Sequence, residues 1–262
     1  MCSATWQCCS NVLPLRGEQQ ATNYNPAKAD VRTKSWTLYS PNGSFEKKLY
    51  SMYLSYLPKE KAVLTGSPIR QELLTGNADF AFSLCHFKDH SKQTILIVGG
   101  SSGSRVINTA IRGLLPELLK NYNVIHLCGK GNLDDTLTAT DGYAQFEYAN
   151  KELSDMFALA DLVISRAGAN AICELLALRK PNILIPLSAA ASRGDQILNA
   201  NSFRSQGFSY VLEEEELSNT TLLEAIEHVF HKKEAYIEAM ENSNSRNSID
   251  TIIGLILDAS KK

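Results

Sequence analysis

From Ala62 onward the sequence alternates short apolar runs with longer amphipathic segments, and this alternation limits the fold more than any other feature. Short runs rich in Val, Ile and Leu are typical of strands that are buried on both faces of a sheet. The amphipathic segments between them are typical of helices that cover such a sheet. The pattern therefore predicts an α/β fold built on a doubly wound parallel sheet.

The predicted strands are residues 62–65, 94–98, 124–128, 145–148, 162–165, 182–186 and 210–212. The predicted helices are residues 105–120, 151–160, 170–178, 196–206 and 220–230, followed by two more. The last of these, at about 248–259, carries an apolar stripe at helical spacing that needs a covering surface. Residues 1–55 are polar, contain prolines and show no period, so no domain is predicted there.

The charge of the chain is nearly balanced, with 26 Lys and Arg residues against 28 Asp and Glu residues. A nucleic-acid-binding surface needs a basic excess to neutralise phosphates, so no nucleic-acid partner is predicted. No apolar stretch reaches the roughly 18 to 20 residues that cross a bilayer, and the N-terminus lacks the pattern of a signal peptide. We expect a cytoplasmic chain, and peripheral contact with a membrane surface stays open.

The cysteines fall into two groups. Three of them lie singly in apolar runs, where a thiol behaves as a small hydrophobe, and are predicted to be reduced and structural: Cys85, Cys128 and Cys173. The other three lie near the N-terminus without the C-x-x-C spacing of a zinc site and without a neighbouring histidine: Cys2, Cys8 and Cys9. No metal site and no cofactor is predicted.

A glycine-rich turn, Gly-Gly-Ser-Ser-Gly-Ser-Arg, follows the predicted strand 94–98 and opens a helix. Backbone N–H groups at such a turn point toward a ligand at the positive end of the helix dipole, where phosphate binds. Gly100 and Gly103 allow close approach of the backbone, and the hydroxyl of Ser101 or Ser102 can cap the helix or bind a phosphate oxygen. A tight turn of this kind can also be purely structural, so phosphate binding is one of two interpretations.

A second glycine turn follows the strand 162–165 and starts another helix. Glu174 would lie one to two turns into that helix. A carboxylate at this position can accept both hydrogens of a ribose diol, which is the role of the acidic residue at many nucleotide sites. The alternative is that Glu174 only complements the helix dipole, and the residues alone do not choose between the two.

Two further segments offer polar groups at the same edge of the sheet. Asp195 and Gln196 begin the helix after strand 182–186 and can meet sugar hydroxyls, although Asp195 is also a good N-cap. Arg70 follows the first strand and can donate to a diphosphate as a fork, although a single exposed Arg is usually only solvated. Because parallel strands end at one edge, the loops together predict a ligand site there. The acidic run 213–216 is predicted to be a solvated loop or helix start.

Four stretches resemble the MurG family of UDP-N-acetylglucosamine transferases, which add N-acetylglucosamine to the lipid-linked muramoyl-pentapeptide of peptidoglycan synthesis. They are LPKEKAVLTGSPIRQELL, ILIVGGSSGSRVINTAI, VIHLCGKGN and ADLVISRAGANAICELLALRKPNILIPL with GDQILNAN. The resemblance covers roughly residues 56–262, and the run Ser-Arg-Ala-Gly-Ala-x-x-x-x-Glu is its most specific part. It implies a Rossmann-like domain that forms the C-terminal half of a GT-B glycosyltransferase.

The resemblance also implies a set of donor-binding residues: Arg70, Gly100, Ser101, Ser102, Gly103, Asn150, Ala169, Asn170, Glu174 and Gln196. The glycine loop and Arg70 would contact the diphosphate. The stretch from Ala169 to Glu174 and the backbone near Asn150 would hold uridine, and Gln196 would reach the N-acetylglucosamine. The family inverts the anomeric centre without a protein-bound metal in this site, and it works at the inner face of the cell membrane.

The sequence departs from the family in its first part. The family's first domain carries a glycine-rich loop that ends in a histidine, a proposed place for the catalytic base, and no such run occurs here. The catalytic base is therefore unassigned, and we expect a truncated, split or misassembled gene product with weak or no activity alone. The expected organisation is an unassigned, poorly ordered segment 1–55, a remnant of the interdomain region over 56–90, and a donor-binding domain over 91–262.

Two alternatives remain at this point. The chain can be a UDP-sugar-binding module that pairs with a separate acceptor-domain chain. It can also be a short-chain dehydrogenase, because Val-Gly-Gly-Ser-Ser-Gly resembles the dinucleotide turn of that family. Against the second, Lys120 and Asn121 stand where an acidic residue is needed, and the Tyr-x-x-x-Lys run, Tyr24 to Lys28, precedes the loop.

Overall fold

The computed structural model describes residues 12–14, 36–38, 62–64, 68–100, 103–189, 191, 194–243 and 249–260. The N-terminal cysteines Cys2, Cys8 and Cys9 lie outside these residues. The chain divides into two compact units, Met1–Ile69 with Ser243–Lys262, and Arg70–Asn242. The predicted roles of 56–90 and 91–262 stay predictions.

The first unit contains a three-stranded sheet of β1 (Val12–Pro14), β2 (Trp36–Leu38) and β3 (Ala62–Leu64). β1 pairs with β2 antiparallel, and β2 pairs with β3 parallel. Only β3 was predicted from the sequence, because β1 and β2 are short and lie in a polar stretch of the sequence. The C-terminal helix Ile249–Ser260 belongs to this unit and confirms the predicted helix, and three residues of its apolar stripe are exposed: Ile253, Ile256 and Leu257.

The second unit is built on a six-stranded sheet. Its strands are β4 (Gln93–Val98), β5 (Tyr122–Leu127), β6 (Tyr143–Phe146), β7 (Leu162–Ser165), β8 (Asn182–Leu184) and β9 (Tyr210–Val211). They are all parallel in the order β6-β5-β4-β7-β8-β9. This is the strand order of the Rossmann fold, so the predicted doubly wound sheet is confirmed. The order reverses between β4 and β7, which makes that boundary the switch point of the sheet.

The helices of the second unit are α1 (Ala78–Leu84), α2 (Arg105–Asn121), α3 (Leu153–Leu159), α4 (Ala169–Ala177), α5 (Asp195–Ser205), α6 (Asn219–His231) and α7 (Lys233–Glu241). Helices α2 to α6 confirm the prediction. Helix α1 was not predicted because it is a short apolar segment; the side chain of Asn77 caps it by accepting from the Phe80 N–H at 3.1 Å. Among the helices of the described residues, none has the length and apolar character that a bilayer crossing requires.

The hydrophobic core lies between the sheet and the helices α2 and α6. Apolar side chains of the central strands alternate in direction, so one set faces these two helices. This set and the helical residues that meet it are fully buried: Ile95, Ile97, Leu162, Ile164, Ile107, Ile111, Leu118, Leu222 and Ile226. The packed core holds β4 and β7 side by side, with Ile95 opposite Leu162, and so fixes the two loops that follow these strands.

Candidate functional site

The candidate site lies at the carboxyl ends of β4 and β7, where the strand order reverses. β4 runs into the glycine loop 99–104 and then α2, and β7 runs into residues 166–168 and then α4. The loops diverge on opposite sides of the sheet at this switch point and leave a crevice between them. Open α/β sheets bind their ligands in this crevice.

The glycine loop has a shape that only glycine permits. A Cβ on Gly103 would lie 2.0 Å from the carbonyl oxygen of Cys128, and its φ of +73° is in the left-handed region. A Cβ on Gly99 would lie 2.9 Å from the backbone nitrogen of Ser104. The N–H of Gly103 donates to the carbonyl of Gly100 at 3.0 Å and closes the turn. The loop therefore brings the start of α2 against the end of β5.

Ser104 is the N-cap of α2, and its Oγ accepts from the Ile107 N–H at 3.3 Å. A serine of this loop was predicted to cap the helix, but the predicted residue was Ser101 or Ser102, whereas the structure has Ser104 in this role. These two serines lie outside the described residues, so their predicted phosphate contacts stay predictions. Gly100 and Gly103 lie in the loop at the carboxyl end of β4, as predicted, and Gly100 has a φ of +93°.

A buried, uncharged network lies beneath the glycine loop. The side-chain amide of Asn108 donates to the Cys128 carbonyl at 2.9 Å, and its oxygen lies 3.0 Å from Nε2 of His126. Nδ1 of His126 lies 2.9 Å from the hydroxyl of Tyr143. Burial lowers the pKa of His126 to about 3, and the positive charge of Arg112 adds to this effect. His126 is therefore neutral at physiological pH and acts as a structural link.

A buried arginine joins the loops across the switch point. Arg166 follows β7, and its Nη1 donates to the carbonyls of Ile185 and Pro186 at 3.1 and 3.3 Å. Its Nη2 donates to Oγ of Ser104 at 2.6 Å and forms an ion pair with Glu214. Neither Arg166 nor Glu214 was predicted to take part in the site. A signal was present for the arginine, because a charged residue follows the apolar run Leu-Val-Ile of β7 after a single serine.

Glu174 and Arg70 were predicted to lie in one site, and the structure places them in contact. Nε and Nη2 of Arg70 lie 3.0 and 2.9 Å from the same oxygen, Oε1 of Glu174. The carboxylate is mostly buried, with 15% of its side chain exposed, whereas the arginine side chain is 56% exposed. Burial raises the pKa of Glu174, and Arg70 partly offsets this by stabilising the charged form.

The segment that carries Arg70 is fixed by its contacts with helix α3. A Cβ on Gly76 would lie 2.0 Å from the carbonyl oxygen of Ser154, so the chain approaches this helix as closely as glycine allows. The N–H of Asn77 donates to the carboxylate of Asp155 at 2.7 Å. These contacts hold Arg70 at the edge of the sheet that also carries Glu174.

Gln196 lies in the first turn of α5, after β8. Its Oε1 accepts from the Leu187 N–H at 3.1 Å, so the side chain is oriented by the loop that precedes the helix. Asn199, one turn later, donates to the carbonyl of Ala167 at 3.0 Å and ties α5 to the loop after β7. The N-cap of α5 is Gly194, with a φ of +82°, so the suggestion that Asp195 caps the helix is wrong.

The remaining predicted residues lie at two places. Ala169 and Asn170 begin α4, the first buried and the second exposed. Asn150 follows the edge strand β6, two strands away from β4. Its hydrogen bonds are local, because its N–H donates to Glu152 and its carbonyl accepts from Leu153. The structure thus brings Arg70 and Glu174 into contact and leaves Asn150 at the margin of the site.

Within the part of the chain that the structure describes, no group of three or more His, Cys, Asp or Glu side chains is arranged to hold a metal ion. The three cysteines described there, Cys85, Cys128 and Cys173, are buried. Burial raises the pKa of Cys85 to about 12 and also raises that of Cys128. These two thiols therefore stay protonated at physiological pH.

Solved structures share the fold of this chain. The crystal structure of MurG from Acinetobacter baumannii superposes with a TM-score of 0.61 at 18% identity, covering 85% of this chain and 66% of that one. A UDP-GlcNAc 2-epimerase from Neisseria meningitidis superposes with a TM-score of 0.53 at 14% identity, covering 84% of this chain and 60% of that one. At these identities the likeness is one of fold, and it confirms the predicted GT-B half.

Sequence comparison gives a closer likeness. Two of the relatives bear the name UDP-N-acetylglucosamine--N-acetylmuramyl-(pentapeptide) pyrophosphoryl-undecaprenol N-acetylglucosamine transferase. The one from Lachnoclostridium phytofermentans is 63% identical over 203 residues, which cover 78% of this chain and 57% of that protein. The one from Lachnospira eligens is 59% identical over 208 residues, which cover 79% of this chain and 58% of that protein. This chain thus spans less than two thirds of the length of these curated relatives.

The model of the glycosyltransferase family 28 C-terminal domain matches residues 94–253, which is more than half of the chain. This range includes the glycine loop, Arg166, Glu174 and Gln196. It is a glycosyltransferase match, so the dehydrogenase alternative for the glycine turn is not supported. The chain therefore belongs to glycosyltransferase family 28 and carries the C-terminal domain of that family.

Proposed function

We propose that this chain binds UDP-N-acetylglucosamine in the crevice between the glycine loop and helix α4, as the donor half of an N-acetylglucosaminyltransferase. The observation that carries the proposal is the position of Glu174. A mostly buried carboxylate stands beside a phosphate-type loop at the switch point, which is where a nucleotide presents its ribose and its diphosphate. The relative that is 63% identical bears the name of such a transferase.

The diphosphate is proposed to bind at the start of α2. The close turn at Gly100 and Gly103 leads into the positive end of α2, a helix of 17 residues, and backbone N–H groups at a helix start bind phosphate. Arg70 supplies a guanidinium at the same edge of the sheet. Its exposed side chain can turn from Glu174 toward a diphosphate and donate in a bidentate manner.

The uridine is proposed to bind along α4, with its ribose on Glu174. Both contacts from Arg70 go to Oε1, so Oε2 is outside that pair and can accept from a ribose hydroxyl while the pair persists. Ala169 and Asn170 at the start of α4, and Asn150 beyond β6, stay predicted contacts of the uridine. Burial raises the pKa of Glu174 and so disfavours its ionised form. A positive or hydrogen-bonding partner in the ligand would stabilise that form.

The N-acetylglucosamine is proposed to meet Gln196. The oxygen of this amide is engaged by the Leu187 N–H, which orients the NH2 group as a donor for a sugar hydroxyl. A fixed rotamer lowers the entropy lost on binding. This arrangement suits a residue that reads hydroxyl positions.

For the reaction, we propose transfer of N-acetylglucosamine to lipid-linked muramoyl-pentapeptide with inversion at the anomeric carbon. The acceptor hydroxyl attacks that carbon, the bond to the diphosphate breaks, and UDP leaves with the electron pair. The start of α2 and Arg70 stabilise the charge that develops on the leaving diphosphate. The base that takes the hydroxyl proton is not assigned to any described residue. Because the acceptor is a lipid, we propose that the transferase works at the cytoplasmic side of the membrane as a peripheral protein.

A binding module that pairs with a separate acceptor-domain chain uses the same donor site. The coverage of 57% of the relative's length is compatible with this second function. Adding a separately expressed acceptor domain of a family relative distinguishes this binding module from a transferase that is active alone. Transfer activity that appears only in the mixture favours the module.

The test of donor binding is calorimetric titration of the chain with UDP-N-acetylglucosamine, with UDP-glucose and NADH as comparison ligands. We expect selective binding of the first, weakened about 10- to 100-fold in Glu174→Ala because hydrogen bonds to a charged acceptor are lost. The matched control is Glu224→Ala, an exposed glutamate on α6, which should bind like the wild type. Equal affinity for NADH, or full affinity in Glu174→Ala, contradicts the proposal.

A further inference from the structure

The acidic run 213–216 was predicted to be a solvated loop or helix start, and the structure confirms the helix start, since Glu213 is the N-cap of the short 3-10 helix Glu214–Glu216. The carboxylates of the run differ in exposure. Glu213 pairs with Arg204 at 2.7 Å, on the surface. Glu214 turns inward, with 15% of its side chain exposed, and pairs with Arg166, of whose side chain 11% is exposed. Glu215 and Glu216 are exposed. One carboxylate of the run is thus set apart by burial beside the switch point.

Glu214 forms an ion pair with Arg166 through its buried oxygen Oε2. Oε2 of Glu214 lies within ion-pair distance of Nη2, yet this buried atom accepts no hydrogen bond of regular angle from any described residue. The donors of Arg166 with regular geometry go to Ser104, Ile185 and Pro186. Glu214 is therefore the counter-charge that keeps the guanidinium in its buried position, where it also donates to these three acceptors.

The groups that Arg166 binds belong to different parts of the proposed donor site. Ser104 ends the glycine loop and caps α2, where the diphosphate is proposed to bind. The carbonyls of Ile185 and Pro186 directly precede Leu187, whose N–H orients Gln196. A single rigid side chain thus connects the phosphate end of the site with its sugar end.

We propose that Glu214 is a positioning residue for donor binding: by holding Arg166 in place, it fixes the distance between the glycine loop and the loop that orients Gln196. The proposal rests on the proposed function for its effect on affinity. Glu214 does not touch the donor. Without it, the unpaired guanidinium leaves its buried position for water or for the diphosphate, and both loops lose their common anchor.

The first test compares Glu214→Leu, Glu214→Gln and the matched control Glu215→Leu. Affinities for UDP-N-acetylglucosamine and for its C4 epimer UDP-N-acetylgalactosamine are measured by calorimetry. In Glu214→Leu we expect about tenfold weaker binding of UDP-N-acetylglucosamine and a narrowed preference over the epimer, because a displaced Gln196 no longer reads the hydroxyl position. Glu214→Gln keeps an acceptor for Arg166 and should recover part of the preference, and Glu215→Leu should match the wild type.

A purely structural role would lower the melting temperature and leave the preference between the two epimers unchanged, and that result overturns the proposal. The second test needs no ligand. In Glu214→Leu, amide hydrogen exchange should accelerate at Ile107 and Leu187. The N–H groups of these residues are hydrogen-bonded to the side chains of Ser104 and Gln196. The amide of Leu96 in the core strand β4 is the reference. Unchanged exchange at Ile107 and Leu187 also overturns it. If the wild type binds neither sugar nucleotide, the proposed function fails, and the exchange rates still decide whether Glu214 anchors the loops.

Discussion

Two buried polar networks flank the glycine loop, and they differ in charge. On the side of β5 and β6, Asn108, His126 and Tyr143 are joined by neutral hydrogen bonds. On the side of β7 and β8, Arg166 and Glu214 form a charged pair that reaches across the switch point. Both networks end on the same short turn, since one holds the Cys128 carbonyl beside Gly103 and the other holds Ser104.

The difference in charge suits the two networks to different structural roles. A neutral network has a modest net energy and sets a fixed shape at physiological pH. A buried ion pair costs several kcal/mol in desolvation, and its partners become strongly unfavourable when separated. Such a pair suits the point where an anion is proposed to bind, because it keeps a positive group close without offering it to the ligand.

The largest effect is expected from breaking the charged side. Arg166→Met leaves the buried Glu214 without its partner, and we expect a loss of about 3–5 kcal/mol in the free energy of unfolding. The double variant Arg166→Met with Glu214→Leu removes both charges and should recover most of that loss. Urea unfolding of the wild type, the single variant and the double variant measures these values. A single variant as stable as the wild type would show that the pair is not energetically coupled.

The next effect is expected from the turn that both networks hold. Gly103→Ala adds a Cβ that would lie 2.0 Å from the Cys128 oxygen at a φ of +73°, so both a clash and backbone strain arise. Gly100→Ala is the matched control, because its φ is +93° but no atom lies within 4 Å of the added Cβ. We expect a loss of about 3 kcal/mol or more in unfolding free energy for Gly103→Ala and about 1 kcal/mol for Gly100→Ala. Equal thermal stabilities of the two variants would contradict this close approach.

The smallest effect at physiological pH is expected on the neutral side, whose loss of stability appears only in acid. The pKa of His126 is lowered to about 3 in the folded protein, below its ordinary value near 6.5. Between these values the unfolded chain binds a proton that the folded protein does not, so stability falls as pH drops below about 6.5. The contribution of this group reaches at most about 1.4 kcal/mol per pH unit and levels off near pH 3. This loss should be absent when the free energy of unfolding of His126→Phe is measured against pH. If the curve of the variant runs parallel to that of the wild type, the pKa of His126 is the same in the folded and the unfolded chain, which contradicts its burial.

Much of the fold was predictable because its signals are local. Helices such as Arg105–Asn121 show a clear period, strands such as Gln93–Val98 are continuous apolar runs, and the glycine turns between such elements are adjacent to them in sequence. Helix α1 and the strands β1 and β2 were missed because they are too short to show a period. The site was predicted as a set of loops at one edge of a sheet, which follows from parallel strands alone.

The contacts inside the site were not predictable, since they join residues that are distant in sequence. Arg70 and Glu174 are 104 positions apart, and Arg166 and Ser104 are 62 apart. Each of these four residues was visible as a polar group near a strand end, but no periodic pattern pairs them. Glu214 carried no signal, because one buried carboxylate in an acidic run is indistinguishable from its exposed neighbours until the chain is folded.

The central claim is that a sugar nucleotide binds at the carboxyl edge of β4 and β7. Its most direct test is a titration of isotope-labelled protein with UDP-N-acetylglucosamine, followed by the amide NMR signals. We predict shifts at Gly100, Gly103 and Glu174, and none at Lys180, which lies at the opposite end of the sheet, where its Nζ donates to the Ala160 carbonyl. Shifts that cluster near Lys180 and spare the glycine loop would contradict the account.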